Sequence, residues 1–170
     1  MKPRIKEKRW DPKLEAGLFK KWEKEKLYKF DKKSKKPVFS MDTPPPYVNT
    51  PVHIGHAYTY TIMDAIARFK RMSGFNVLFP MGMDKNGLPI EVQAQKEFKI
   101  SIHETPREEF IEKCKLLIER ASDASLDSFK KLGLSCNSWK TAYDIGGKYD
   151  TDAPEYRKLT QETFIKLWNK

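Results

Sequence analysis

Three consecutive prolines, at residues 44–46, constrain the fold of this chain more than any other feature of its sequence. Each proline removes a backbone donor, fixes φ at about −65° and disfavours the α conformation in the residue before it. The short apolar run at residues 38–41, which has strand character, must therefore end before them, and the chain must continue as a stiff, extended loop. We expect the carbonyl oxygens of this loop to have no backbone partner and to be good acceptors for a ligand's ammonium group. A surface polyproline turn is the alternative.

The segment after this loop has the pattern of a long amphipathic helix that begins near Ile54 and ends before Gly74. Glycine suits the position just after a helix, where the left-handed conformation is common. Six apolar residues recur at helical spacing and predict the face of the helix that lies on a sheet. They are Tyr58, Ile62, Ala65, Ile66, Phe69 and Met72.

A second strand is predicted at residues 75–80, so the order is strand, crossover helix, strand. This order predicts a parallel, right-handed βαβ unit. The loop at residues 81–89 leaves the second strand and then lies at the same carboxyl edge of the sheet as the proline loop. Ligands bind at this edge in open α/β sheets. We therefore expect the two loops to share one site.

Helical patterns also flank the βαβ unit. They predict helices at residues 10–30, 89–98, 105–132 and 152–170. The third of these helices starts with a capping-box pattern at residues 105–108, TPRE, with proline in the first turn. A polar, glycine-bearing stretch lies around residues 145–147, and the last helix reaches the chain end without a stop signal.

The chain carries a formal net charge of +10, from 33 Lys and Arg against 23 Asp and Glu. Excess positive charge attracts polyanions, but many of the lysines lie at residues 20–36, where a solvated helix and a basic surface loop explain them equally well. Neither an apolar run of about 20 residues nor a secretory signal is visible. We therefore expect a cytoplasmic protein with no membrane partner. Cys114 and Cys136 form no C-x-x-C pair, and we expect two free thiols.

Two histidines, His53 and His56, lie three residues apart at the predicted N-terminus of the long helix. The first turn of a helix has unpaired N–H groups and the positive end of the dipole, which together stabilise a phosphate. Gly55 between them has no Cβ and lets a flat base or ribose approach the backbone closely. The pattern predicts a nucleoside triphosphate site. A metal site is the alternative, but His103 is the only other histidine and zinc needs more ligands.

The run at residues 44–56, PPPYVNTPVHIGH, resembles the HIGH signature of class I aminoacyl-tRNA synthetases. Its spacing from prolines to histidines is similar to that of the valine, isoleucine and leucine branch, and residues 60–91 follow the same branch. The lead-in with Trp10 and Trp22 and the tail at residues 159–168 resemble it too. This resemblance implies an α/β fold: the N-terminal half of a Rossmann-like (HUP-type) parallel-sheet nucleotide-binding domain with flanking helices.

The resemblance divides the chain into three parts. Residues 1–37 would be a helical lead-in and basic linker, residues 38–104 the first half of the catalytic domain, and residues 105–170 a helical segment that leads to an editing insertion. The family's second signature, Lys-Met-Ser-Lys-Ser, is missing, and residues 32–35, KKSK, precede the first strand and are therefore a basic linker. We expect the chain to belong to a longer protein and to be weakly active or inactive alone.

The resemblance also implies roles for individual residues. His53 and His56 would contact the phosphates of ATP and stabilise the transition state of adenylation, and Gly55 would lie under the adenosine. Mg²⁺ is expected with the ATP, and no zinc is expected in this segment.

The amino acid substrate would bind through its ammonium group. The resemblance assigns this group to the carbonyl oxygen of Pro45 or Pro46 and to the carboxylate of Asp84. Further candidates, for the side-chain pocket, are Tyr47, Asn49 and Met83.

Two stretches favour valine as that amino acid. Residues 84–89, DKNGLP, and residues 149–157, YDTDAPEYR, are similar to archaeal-type valine enzymes. Isoleucine is the alternative, followed by leucine, and tRNA is the expected second substrate. Two other hypotheses are a nucleotidyltransferase of the same fold with another acceptor and a non-catalytic, basic nucleic-acid-binding module.

Overall fold

The computed structural model describes Arg9, residues 11–142 and residues 144–170. Trp10, which belongs to the predicted lead-in, lies outside these residues. The described part of the chain forms, in order, α1 (Lys13–Glu25), β1 (Val38–Ser40), α2 (Ile54–Met72), β2 (Asn76–Leu78), α3 (Leu88–Phe98), α4 (Arg107–Lys131) and α5 (Pro154–Trp168). None of the helices described here is both long enough and apolar enough to cross a bilayer.

The predicted parallel βαβ unit is confirmed. β1 and β2 pair in parallel, with Val38 opposite Asn76 and Ser40 opposite Leu78, and α2 connects them. α2 begins at Ile54, as predicted, and Gly74 after its end has a φ of +91°, which favours glycine. The local turn chemistry of prolines and glycine therefore predicts this unit correctly.

The predicted buried face of α2 is wrong. Of the apolar stripe, Tyr58 is 68% exposed and Met72 is 81% exposed, whereas Tyr60, Asp64 and Ala67 are buried. A buried carboxylate is stable only when it is paired and hydrogen-bonded. Asp64 meets this requirement through Arg68, whose Nε donates to Oδ2 at 2.6 Å, and through the Ser135 N–H, which donates to Oδ1 at 2.6 Å.

The helix at the N-terminal end is shorter than predicted. α1 ends at Glu25 because Lys26 adopts the left-handed conformation, with a φ of 52°, and its N–H donates to the Glu23 carbonyl. The segment after α1 packs on α2 instead, where the Arg68 guanidinium lies 5.2 Å from the centre of the Tyr28 ring. Such cation–π contacts stabilise the packing of basic side chains on aromatic rings.

The core lies between the sheet, the inner face of α2, α3 and α4. Its wholly buried side chains include Val48, Phe79, Met81, Met83, Phe129 and Leu134. α3 matches the predicted helix, and α4 ends at Lys131 before Gly133, which has a φ of +73°. The predicted capping box at the start of α4 is not formed, since Pro106 is the N-cap residue and no side chain caps the helix.

Residues 148–151, which follow the predicted polar stretch around residues 145–147, pair with the chain beyond β2. The Tyr149 N–H donates to the Met81 carbonyl at 2.9 Å, and the Thr151 N–H donates to the Met83 carbonyl at 3.0 Å. Gly82 permits this close approach, since a Cβ there would lie 1.8 Å from the Tyr149 carbonyl oxygen. We call residues 148–151 the flanking segment. It pairs with residues that are distant in sequence: Asp150 is 67 residues away from its partner Met83. No local sequence pattern therefore predicts this pairing.

Candidate active site at the carboxyl edge of the sheet

The histidine turn, residues 53–56, starts α2. His53 is the N-cap residue, and its Nδ1 accepts a hydrogen bond from the Gly55 N–H at 3.1 Å. The rings of His53 and His56 are stacked, with centroids 3.9 Å apart and an interplanar angle of 23°. The sequence prediction that both imidazoles lie at the helix N-terminus is therefore met by the geometry.

The first turn of α2 offers donors to an anion. Within the described residues, the backbone N–H groups of Ile54 and His56 have no hydrogen-bond acceptor. Gly55 is exposed, and a Cβ there would lie 3.0 Å from the His53 ring, a tight contact that the ring would have to relieve by a small shift. Free N–H groups at the positive end of a helix dipole are suited to a phosphate.

His56 has an unusual environment. Its Nδ1 is buried and has no hydrogen-bond partner in the described part of the chain. Burial, and then the neighbouring charge of His53, lower the pKa of the His56 imidazole. The ring is therefore neutral at pH 7, and it carries one N–H donor and one lone pair. A buried polar atom without a partner in a native structure calls for a functional explanation.

The proline run is more engaged than the sequence predicts. The Tyr60 hydroxyl donates to the Pro44 carbonyl, and the Asp84 N–H donates to the Pro46 carbonyl at 2.9 Å. The expectation of free carbonyl oxygens is therefore wrong for these two prolines. The Pro45 carbonyl has no partner among the described residues, which makes it the unengaged member of the predicted pair Pro45 and Pro46.

Asp84 joins the loop after β2 to the proline loop. Tyr47 and Asp84 form a parallel bridge, and the Val48 N–H donates to the Asp84 carbonyl at 3.2 Å. The two loops thus lie at one edge, as the order of strand, helix and strand predicts. The Asp84 side chain is half-buried, and its Oδ1 accepts hydrogen bonds from the Thr151 hydroxyl at 3.0 Å and from the Asn86 N–H at 3.3 Å.

The three candidates for the side-chain pocket have different environments. The Tyr47 hydroxyl is buried without a partner among the described residues, and burial followed by the Asp84 charge raises its pKa. Asn49 is half-buried. Met83 is 0% exposed and belongs to the core, so it presents no surface to a ligand here. Tyr47 and Asn49 are therefore the two candidates that are partly exposed.

A cluster of buried charges behind Asp84 was missed by the sequence interpretation. The Asp150 carboxylate accepts from Lys148 Nζ at 2.6 Å and from Lys85 Nζ at 3.0 Å. Burial alone raises the pKa of Asp150, but the two lysines outweigh it and the pKa lies below its ordinary value. The stretch around residue 150 stood out only for its similarity to valine enzymes, and nothing local reveals the pairing.

The predicted site residues lie away from the cavity beside α1. A cavity of about 1000 Å³ lies between α1, residues 26–33 and residues 134–147, and none of the predicted site residues lines it. Within the described residues, no group of three or more His, Cys, Asp or Glu side chains could hold a metal ion. We therefore assign the site from its donors and charges.

Comparison with known proteins decides the family. The family model described as tRNA synthetases class I (I, L, M and V) matches residues 17–170. The chain belongs to this family. One relative is a valine--tRNA ligase from Pyrobaculum aerophilum, which is 46% identical to this chain over 95% of the chain and 19% of the relative. Another, from Methanocaldococcus jannaschii, is 42% identical over 91% of the chain and 17% of the relative.

A solved structure supports the same fold. The crystal structure of the ternary complex of Agrobacterium radiobacter K84 agnB2 LeuRS-tRNA-LeuAMS matches with a TM-score of 0.74 and 25% sequence identity, over 95% of this chain and 18% of that one. The predicted Rossmann-like α/β fold of a class I synthetase is confirmed. This class I chain spans under a fifth of the length of these relatives, 19% and 17% for the two ligases.

Proposed function

We propose that this chain supplies the nucleotide-binding half of a synthetase that activates valine with ATP and transfers it to tRNA. One observation carries the proposal: the parallel bridge between Tyr47 and Asp84, which joins the proline loop to the loop after β2. The bridge brings candidate acceptors for an ammonium group together, and the histidine turn with its free N–H donors follows the proline loop along the chain. Amino acid activation needs both kinds of group at one site.

In this proposal the amino acid binds through its ammonium group to the Asp84 carboxylate and the Pro45 carbonyl oxygen. A charge-assisted hydrogen bond to a carboxylate is stronger than one between neutral groups. Tyr47 and Asn49 contribute to the side-chain pocket. The bond between Asp84 N–H and the Pro46 carbonyl, at 2.9 Å, supports the rigid spacing of the two acceptors.

ATP binds at the N-terminus of α2, with Gly55 under the adenosine and His53 and His56 near the phosphates. Mg²⁺ arrives with the ATP phosphates, and no zinc is required from this segment. A carboxylate oxygen of the amino acid bonds to the α-phosphorus while the bond from that phosphorus to pyrophosphate breaks. The protein contributes position and charge stabilisation to this in-line transfer, and the neutral His56 ring can donate a hydrogen bond to the developing charge.

The ligase names of the relatives favour valine over isoleucine. We further propose that residues 1–37 form the lead-in and linker, residues 38–104 the first half of the catalytic domain and residues 105–170 the helical segment before an editing insertion, in a cytoplasmic enzyme. The remaining catalytic groups then come from the rest of the intact gene product.

The test is pyrophosphate exchange into ATP by the intact gene product, with His53→Ala, His56→Ala and the control His103→Ala. His103 is exposed and lies outside the site. Loss of one donor to a transition-state charge lowers kcat by about 10²–10³, so we expect such a decrease for the first two variants and none for the third. Unchanged exchange together with weaker RNA binding in the first two variants would favour the nucleic-acid-binding module.

A further inference from the structure

Thr151, in the flanking segment, makes four hydrogen bonds to residues 84–86. Its hydroxyl oxygen lies 3.0 Å from Asp84 Oδ1, from the Lys85 backbone nitrogen and from Asn86 Nδ2. The carbonyl oxygen of Thr151 accepts from the same Asn86 Nδ2 at 3.0 Å. Thr151 is buried, and 67 residues separate it from Asp84.

The direction of each hydrogen bond follows from the chemistry of the groups. The Asn86 amide must present its nitrogen to Thr151, because a carbonyl oxygen can only accept. A threonine hydroxyl has one proton and two lone pairs. The Lys85 N–H and the Asn86 amide occupy both lone pairs, so the proton has one remaining partner, the Asp84 carboxylate.

The opposite side of the flanking segment is held rigidly. Asp150 accepts from the Met83 N–H at 3.0 Å and from the buried ammonium of Lys148, while the Thr151 N–H donates to the Met83 carbonyl at 3.0 Å. Lys85 adds a second ammonium to Asp150. The backbone on both sides of Asp84 is thereby fixed to residues 150 and 151 in one geometry.

We infer that Thr151 is a positioning residue for the amino acid substrate: its hydroxyl fixes Oδ1 of Asp84 and leaves Oδ2 as the oxygen that receives the ammonium group. Oδ2 has no hydrogen-bond partner among the described residues. The inference rests on the proposed function, because it assigns the Asp84 carboxylate to ammonium binding. Thr151 itself touches neither the substrate nor ATP.

The test is the Michaelis constants of the intact gene product for amino acid and ATP in pyrophosphate exchange. Thr151→Val keeps the shape but has no donor, and a hydrogen bond to a charged group is worth roughly ten- to hundredfold in binding. We expect KM for the amino acid to rise by this factor, with KM for ATP unchanged. Thr151→Ser restores the wild-type value. The control Thr160→Val, which removes an exposed hydroxyl from α5, changes neither constant.

A double variant tests whether Thr151 acts through Asp84. In an Asp84→Asn background, Thr151→Val should raise KM for the amino acid no further, because coupled residues are not additive. If Thr151→Val does not fold, Thr151→Cys takes its place as a weak donor of similar size. The inference is overturned if Thr151→Val or Thr151→Cys keeps the wild-type KM for the amino acid. It is also overturned if Thr151→Ser raises this KM. A wild-type protein without exchange for any amino acid refutes the proposed function instead.

Discussion

Replacing Gly82 by alanine tests the pairing of the flanking segment with the strand that leads to Asp84. The new Cβ would lie 1.8 Å from the Tyr149 carbonyl oxygen, whereas real Cβ atoms stay beyond 3.0 Å from their neighbours. The nearby atom belongs to the backbone, so no side-chain rotation can relieve the clash. The two backbones must move apart.

The cost follows from the hydrogen bonds that this movement breaks. The bonds from Tyr149 N–H to Met81 and from Thr151 N–H to Met83, now 2.9 and 3.0 Å long, would both stretch beyond hydrogen-bonding distance. A buried group left without its partner costs about 1–3 kcal/mol, so Gly82→Ala should lower the free energy of unfolding by about 2–6 kcal/mol. Urea unfolding measures it.

A second glycine provides the matched control. Gly17 lies inside α1, and a Cβ there would meet nothing within 4 Å. Gly17→Ala should raise the free energy of unfolding by about 0.5–1 kcal/mol, because alanine loses less backbone entropy in a helix than glycine does. The prediction is refuted if the free energy of unfolding of Gly82→Ala lies within about 0.5 kcal/mol of the wild-type value.

Other substitutions test the buried polar groups. Asp150→Asn should destabilise the protein by about 3–5 kcal/mol in urea unfolding, since it leaves the Lys148 ammonium buried without its counter-charge; a loss below about 1 kcal/mol contradicts this. The pKa of Asp150 is lowered from its ordinary value of 3.8, so its stabilisation is present above pH 3.8 and the difference between wild type and variant should shrink below it. Tyr60→Phe should cost about 0.5–1.5 kcal/mol, the net value of one hydrogen bond, because Pro44 is exposed and water can replace the lost donor; thermal unfolding measures it, and an unchanged Tm argues against that bond.

The sequence predicts the βαβ unit because the constraints on it are local. The backbone geometry of proline is enough to end β1 before residues 44–46. Glycine at residue 74 permits the positive φ that follows α2. The two loops lie at one edge because β1 and β2 are parallel and their carboxyl ends meet there. None of these constraints depends on distant residues.

The buried face of α2 could not be predicted in the same way. Apolar spacing favours the face with Tyr58 and Met72, whereas burial of Asp64 depends on Arg68 and on Ser135, which is 71 residues away. A hydrophobicity pattern predicts that an aspartate is exposed. Its actual position depends on hydrogen bonds that only the folded chain provides.

One part of the candidate site could be predicted from local sequence, and the other part depends on distant residues. The histidine turn and Asp84 lie in motifs that can be found by their spacing, and their positions agree with the folded chain. The engaged carbonyl of Pro46, the core position of Met83 and the hydrogen bonds of Thr151 depend on pairing between distant segments. Sequence patterns therefore locate the groups that we propose for the chemistry but not those that position them.

We propose that this sheet edge activates valine. The most direct test of this claim is pyrophosphate exchange into ATP by the intact gene product with valine, isoleucine and leucine at equal concentrations. We predict kcat/KM for valine above that for isoleucine by about ten- to two-hundredfold, the discrimination that one methylene provides. Exchange with isoleucine and none with valine would reverse the substrate assignment, and no exchange with any of the three would contradict the claim.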